Sequence, residues 1–381
     1  MSGGGTFRLG SPHTGLLRLD PLAEAAREVV RRNQLHALTY GDVRGDPELR
    51  REILEQFADY YPGCEPGQVL LTYGVTEAIT LVARTLLRPG DAVVVEAPTY
   101  YWALPEFASQ GARVIEVPLD ESGMRVDLLE GAVRRAQKGG LRVKLIYCMP
   151  TFHNPAGATL SLERRRQLLE VARRFQTVIL EDDAYFRLRY SGPELPSLFA
   201  LDEHGVVIHA STFSKVIAPG VRLGWLVTRS PGLLDSLLEL KPNGTNPFMS
   251  AVVLNYLRAG MFTRHLDIAR QFYGPSLEAC FETLEQIAPL GIRASKPCGG
   301  FYVWLRLPPH WSAGDFTKHC AERGLEVLCG DAFFASAPTA PCVRLAFSSF
   351  DRAELRRSTQ TLCDIAKDYA PRAAAPTRAG R

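Results

Sequence analysis

Between Val69 and Val227 the chain alternates two kinds of segment. Short β-branched apolar runs stand at Val69–Thr72, Ala92–Glu96, Arg113–Val117, Val143–Tyr147, Thr177–Leu180, Val206–His209 and Leu223–Val227. Amphipathic stretches such as Thr76–Leu87 and Glu163–Phe175 separate several of them. Strands alternating with helical patterns predict βαβ units around a mostly parallel sheet. A helical bundle gives no account of a run such as DAVVVEAP. Outside this region the pattern changes. Residues 1–20 carry Gly, Pro and Ser without periodicity and read as an extended arm. Pro21 to Gln34 has helical period, and Asp46-Pro47-Glu48 is a helix start with proline in the first turn. Asn255 to Gln286 reads as long and helical. After Pro297, strands at Gly300–Leu307 and Cys342–Phe347 with helices between them predict a smaller α+β unit. The end after Tyr369, rich in Ala, Pro and Arg, is expected to be disordered. The predicted division is therefore an arm and small-domain segment over 1–37, a large domain over 38–270, a small domain over 271–369 and a tail over 370–381.

Composition narrows the class. The 381 residues are 46% hydrophobic and 22% charged, which suits two domains or one large α/β unit with an appendage. Lys plus Arg is 44 against 41 for Asp plus Glu, a net charge of +3 that gives no electrostatic reason to expect nucleic acid or an anionic membrane. Apolar runs such as Ala92–Ala97 are too short to span a bilayer, and no apolar segment follows Met1–Gly5 as a secretory signal would require. The eight cysteines (Cys64, Cys148, Cys280, Cys298, Cys320, Cys329, Cys342, Cys363) contain no CxxC pair and read as reduced thiols. A soluble cytoplasmic enzyme is the expected class.

No G-x-G-x-x-G follows a strand and no GxxxxGK[ST] occurs, so dinucleotide and P-loop chemistry have no support. Histidines and cysteines show no ligand spacing, so no metal is expected. Four other groups stand out. Lys215, in STFSKVIAPGVRLGWL, follows a strand among the hydroxyls of Thr212 and Ser214, with Arg222 seven residues on. A lysine so held can form a Schiff base with a carbonyl compound, and the arginine can clamp a phosphate. Glu181, Asp182 and Asp183 end the apolar run TVIL, where an α/β sheet presents its ligand site, and Tyr185 lies three residues past Asp182. One buried acid there could face a cation such as a protonated ring nitrogen. Asn154, in PTFHNPAGATLS, also follows a strand. Last, LLTYGVTEAITL passes from a strand through Gly74 to a helix beginning near Thr76, whose free N–H groups form an anion site.

In this order the segments resemble the fold-type I pyridoxal-phosphate enzymes of aminotransferase class I/II, nearest the 2-aminoadipate and kynurenine aminotransferase branch, which shares its domain with MocR-type regulators. The resemblance runs from about Leu38 to Phe347. It implies an α/β fold with a mostly parallel sheet in a large domain plus a smaller α+β domain, and pyridoxal 5'-phosphate as cofactor. It implies that Lys215 forms the internal aldimine and shuttles the proton, and that Asp182 pairs with the pyridine nitrogen. Tyr185 and Asn154 would bond the ring 3-oxygen, and Tyr100, in EAPTYY, would stack on the ring. Val75, Thr76, Thr212, Ser214 and Arg222 match the phosphate-binding set. Tyr40 matches a tyrosine that reaches the neighbouring subunit's phosphate, which implies a homodimer. Arg344, in CVRLAFSSF, matches the arginine that binds the substrate α-carboxylate.

The sequence departs from that branch in four places. GVTEA stands for the usual GSQQA, so Val75 offers only its backbone. The arm reads FRLGSPHTGLL, Cys329–Asp331 stands where Pro-Gly is usual, and the segment Glu239–Ser250 (ELKPNGTNPFMS) also differs. These changes fall in substrate-facing regions and leave the cofactor set intact. The favoured function acts on an amino acid's Cα through an external aldimine, moving the amino group to a 2-oxo acid. The alternative on the same scaffold is elimination, β/γ-replacement or C–C bond formation, possibly with S-adenosylmethionine, in natural-product biosynthesis. A non-catalytic MocR-like module is a further reading, set aside because about 35 residues are too few for a winged helix. Tyr101, Trp102 and Phe107 are expected in the core or a dimer interface, Cys298 buried and His153 in packing or at the surface. Arg8 and His13 are candidate contacts for a substrate side chain.

Overall fold

A computed structural model describes residues 5–32 and 35–373. Eight strands form the large sheet: β1 Val69–Thr72, β2 Asp91–Ala97, β3 Arg113–Asp120, β4 Gly123–Met124, β5 Arg142–Cys148, β6 Val178–Asp182, β7 Val207–Thr212 and β8 Gly224–Thr228. Their order is β1-β8-β7-β6-β5-β2-β3-β4. The run from β7 through β6, β5 and β2 to β3 is parallel, and β8 lies antiparallel between β7 and β1. A parallel sheet covered on both faces needs strands apolar on both sides, and β2 and β7 are buried almost throughout. Each expected strand is present; the two-residue β4 was not anticipated.

Four strands, β9 Arg293–Ala294, β10 Tyr302–Arg306, β11 Leu328–Cys329 and β12 Cys342–Ala346, make a second, antiparallel sheet in the order β11-β12-β10-β9. The arm runs beside it. Phe7 donates its N–H to Glu326 O at 2.8 Å and accepts Ala346 N–H at 2.8 Å. Ser348 Oγ then donates to Ser11 O at 2.7 Å. These bonds lead residues 8–10 to the mouth between the sheets.

Helix starts follow their caps. Asp46 Oδ1 accepts Leu49 N–H at 2.9 Å ahead of the helix Pro47–Gln56, and Ser161 caps Leu162–Phe175. The helix expected across Asn255–Gln286 is two, Pro247–Arg258 and Met261–Leu284, because Gly260 between them takes the left-handed conformation at φ +67°. The helix expected over Pro21–Gln34 spans Leu19–Arg31, and Asn33 and Gln34 lie outside the described residues. At the other end the helix Arg352–Ala373 carries order past Tyr369; the rest of the expected disordered tail, 374–381, lies outside the described residues. Among the described residues no helix is long and apolar enough to cross a membrane.

Candidate active site

Parallel strands deliver the chemistry to one edge. β2 leads to Tyr100, β5 to the loop carrying Asn154, β6 ends on Asp182 and β7 ends on Thr212, all at carboxyl ends. Because side chains alternate along a strand, Asp182 points to one face of β6 while Glu181 and Asp183 point to the other.

Asp182 is buried, and its Oδ2 accepts the Tyr147 O–H at 2.7 Å. Oδ1 has no hydrogen-bond partner among the described residues. Burial pushes the carboxyl up to about 6, against the lowering effect of the Tyr147 bond. A buried carboxylate with one oxygen unfilled is a receptor for a cationic donor, and a protonated ring nitrogen meets that description. Tyr100 is half-buried; burial first, and the Asp182 charge second, raise its hydroxyl above the ordinary tyrosine range.

The start of the helix Val75–Leu86 forms a cup. Gly74 precedes it at φ +85° with no side-chain cap, so the first-turn N–H groups face outward unfilled by any side chain. A Cβ at Gly74 would stand 3.6 Å from both terminal nitrogens of Arg222 and 3.7 Å from Thr212 Oγ1, so these groups surround the helix start. Gly224 on β8 is forced: its Cβ would fall 2.5 Å from Ser211 O and 2.8 Å from Gly74 Cα. Thr212 Oγ1 lies 2.9 Å from Ser214 Oγ, and Arg222 donates to Tyr73 O at 2.9 Å. N–H groups, two hydroxyls and a guanidinium around one concavity suit a phosphate.

Lys215 Nζ donates to Gly10 O at 2.8 Å and lies 5.8 Å from the Tyr185 ring centre. The Tyr185 hydroxyl is 2.8 Å from that of Tyr302. Arg344, on β12, donates to Asn154 Oδ1 at 3.0 Å and to Arg8 O at 2.6 Å, with its guanidinium 4.4 Å from the Tyr302 ring centre. Lys215, Tyr185, Asn154 and Arg344 are thus linked through Tyr302 and the arm. Val75, Thr76, Thr212, Ser214 and Arg222 meet at the cup. Tyr40 does not join them within the chain; its side chain is fully exposed.

Tyr147, Tyr302 and the carbonyls of Arg8 and Gly10 were not singled out in the sequence. Tyrosines within apolar strands read as core, and a carbonyl carries no residue identity. His153 is buried against Glu96, with Nε2 3.1 Å from the carboxylate, which is a packing role. Phe107 is buried, Tyr101 is half-buried and Trp102 stands exposed. Cys298 is half-buried, where a buried residue was expected. The Arg8 side chain is exposed, and the His13 ring stacks on Phe272 at 5.1 Å. Behind β6, Glu181, Asp183 and His209 bring potential ligand atoms within 4.8 Å of one another. Both Glu181 oxygens already accept the N–H groups of Leu198 and Phe199, and His209 Nδ1 faces Tyr61 at 2.9 Å.

An eight-stranded mostly parallel sheet with an anion cup, a buried acid and a strand-end lysine at its carboxyl edge defines a fold-type I pyridoxal-phosphate enzyme. The chain belongs to the aminotransferase class I and II family, which it matches over residues 12–362. It is 34% identical to an aromatic-amino-acid aminotransferase of Thermococcus litoralis, over 94% of this chain and 87% of the relative. A kynurenine aminotransferase of Pyrococcus horikoshii, solved with pyridoxamine phosphate, superposes with a TM-score of 0.92 at 33% identity, over 97% of this chain and 92% of that one. The α-aminoadipate aminotransferase LysN of Thermus thermophilus, solved with a phosphopyridoxyl-leucine adduct, gives 0.89 at 31% identity over 96% and 93%. The cofactor is pyridoxal 5'-phosphate, and the enzyme class is aminotransferase.

Proposed function

We propose that the chain transfers the amino group of an α-amino acid to a 2-oxo acid, with Lys215, Asp182 and Arg344 as its working residues. When bound, pyridoxal 5'-phosphate supplies the electron sink for the Cα carbanion and carries the amino group from donor to acceptor. The cup of Val75, Thr76, Thr212, Ser214 and Arg222 would hold its phosphate, Asp182 would keep its ring nitrogen protonated, and Tyr100 would cover the ring face. Asn154 and Tyr185 would hydrogen-bond the ring oxygen. Arg344 fixes the substrate α-carboxylate as a planar fork, which sets the Cα–H bond beside Lys215. Lys215 Nζ would take the proton from Cα and deliver it to the C4′ carbon of the bound cofactor.

One observation carries the reading. Lys215 Nζ and the Arg344 guanidinium rest on carbonyls two residues apart, Gly10 and Arg8, so amine and carboxylate clamp stand at the two ends of one short stretch of arm. Tyr40, exposed here, would complete the phosphate site of a second copy in a homodimer. Relatives named for aromatic amino acids, kynurenine and 2-aminoadipate make those the first donors to try.

The test is a half-reaction. Purified protein loaded with cofactor is mixed with each donor while its visible absorbance is followed. Bleaching by a donor and recovery on adding a 2-oxo acid are expected, and Lys215→Ala should abolish both while folding normally. Comparable turnover in that variant, or release of a substrate fragment with no bleaching, would defeat the proposal.

A further inference from the structure

The helix that opens the phosphate cup carries an acid at its third position. Glu77 turns back, and its Oε2 accepts Tyr73 N–H at 2.6 Å. Its Oε1 accepts Lys241 Nζ at 2.9 Å, where the Lys241 side chain is wholly buried and that of Glu77 is 24% exposed. Lys241 Nζ also lies 5.7 Å from the Tyr73 ring centre. The Tyr73 carbonyl, in turn, accepts Arg222 at 2.9 Å, and its hydroxyl donates to Gly244 O at 3.3 Å. One residue is therefore held at its N–H by Glu77 and at its carbonyl by the arginine of the cup.

An acid in a helix's first turn is favourable toward the helix dipole. Here that same helix end has to accept a phosphate dianion, so a bare carboxylate would repel the ligand. A buried ammonium in contact with it cancels the charge. Glu77 lies in GVTEA and Lys241 in ELKPNGTNPFMS, two segments where the sequence departs from the branch it resembles. The fold brings the two departures into contact.

We propose that Lys241 is a positioning residue for cofactor binding: paired with Glu77, it neutralises the acid at the mouth of the cup and fixes the Tyr73 peptide on which Arg222 rests. This rests on the reading of the Gly74–Arg222 cup as the phosphate site. The ligands that test it are pyridoxal 5'-phosphate and pyridoxal, which lacks the phosphate, each titrated into apoprotein. Lys241→Met should weaken pyridoxal phosphate by about tenfold or more while moving pyridoxal by less than about twofold. Glu77→Gln in the Lys241→Met background should bring pyridoxal phosphate back to within about threefold of the wild type. A merely structural role predicts equal losses for both ligands and no rescue, and either result overturns the proposal. Should Lys241→Met not fold, the double variant decides alone, since a loss of about tenfold confined to pyridoxal phosphate in that charge-free pair overturns the account. Arg222→Ala is the control. If it fails to weaken pyridoxal phosphate relative to pyridoxal, the assignment of the cup falls, and the brace with it.

Discussion

Asp182→Asn should change how the stability of the cofactor-free protein responds to pH. Burial lifts Asp182 from an ordinary 3.8 to about 6, so the folded chain holds this proton more tightly than the unfolded chain does. Such a group leaves stability intact below about pH 4, and its contribution is lost as pH rises through about 6. The difference between 3.8 and about 6, at about 1.36 kcal/mol per pH unit, amounts to about 3 kcal/mol at full ionisation. The linkage relation between those two values puts roughly half of that loss, on the order of 1 kcal/mol, between pH 5 and pH 8. Asparagine takes up no proton in this range. Whatever its amide costs in the wall of the site is the same at both pH values and cancels in the comparison. Urea unfolding of both apoproteins at pH 5 and pH 8, at one ionic strength, gives four stabilities. The variant should gain on the wild type by about 1 kcal/mol between the two conditions. A difference that stays flat, or moves the other way, would refute the claim that Asp182 is strained by burial and waiting for a cation.

Arg344→Lys keeps the charge but loses the fork, so kcat/KM should fall by about a hundredfold, about 3 kcal/mol, chiefly through KM for the amino acid; an unchanged KM would remove Arg344 from the carboxylate site. Tyr302→Phe takes the hydroxyl partner from Tyr185 and should cost about 1 kcal/mol, a fivefold drop in kcat/KM with cofactor affinity little changed, measured by steady-state kinetics. If Tyr40 serves the neighbouring subunit, Tyr40→Ala and Lys215→Ala preparations, each deficient, should regain activity on subunit exchange. Random pairing predicts recovery of about a quarter of wild-type sites, and no recovery would place Tyr40 outside the partner's site.

The strands were legible because apolar β-branched runs four to eight residues long admit few other structures, and the position of Asp182 followed from where its run ends. The break at Gly260 was not legible. Helical period continues on both sides of it, and nothing local distinguishes a glycine inside a helix from one that takes φ +67° and stops it. The cup was readable from Gly74 and the hydroxyl-rich turn before Lys215, since those residue types have few other reasons to cluster. Tyr147 and Tyr302 were not, because a tyrosine in an apolar strand has the same pattern whether its hydroxyl meets a buried acid or nothing of consequence. Contacts made through the arm's carbonyls leave no mark on residue identity.

Those carbonyls explain a property of the site that side chains alone do not. In the proposed reaction Lys215 and Arg344 are the two working cations, and both rest on neutral acceptors, Gly10 O and Arg8 O, with the amide of Asn154 as the second partner of Arg344. A carboxylate in either place would bind its cation more firmly, and the cofactor or substrate would have to break a buried ion pair to displace it. A carbonyl satisfies the N–H donors at a net worth of about 1 kcal/mol each and yields to an anion that binds more strongly. The site's acids are turned from these cations: Asp182 accepts the Tyr147 hydroxyl, Glu96 accepts the Met149 N–H, and Glu77 is paired with Lys241. Asp182 thereby keeps its other oxygen open, and Lys215 and Arg344 are left with neutral partners that a bound ligand can replace.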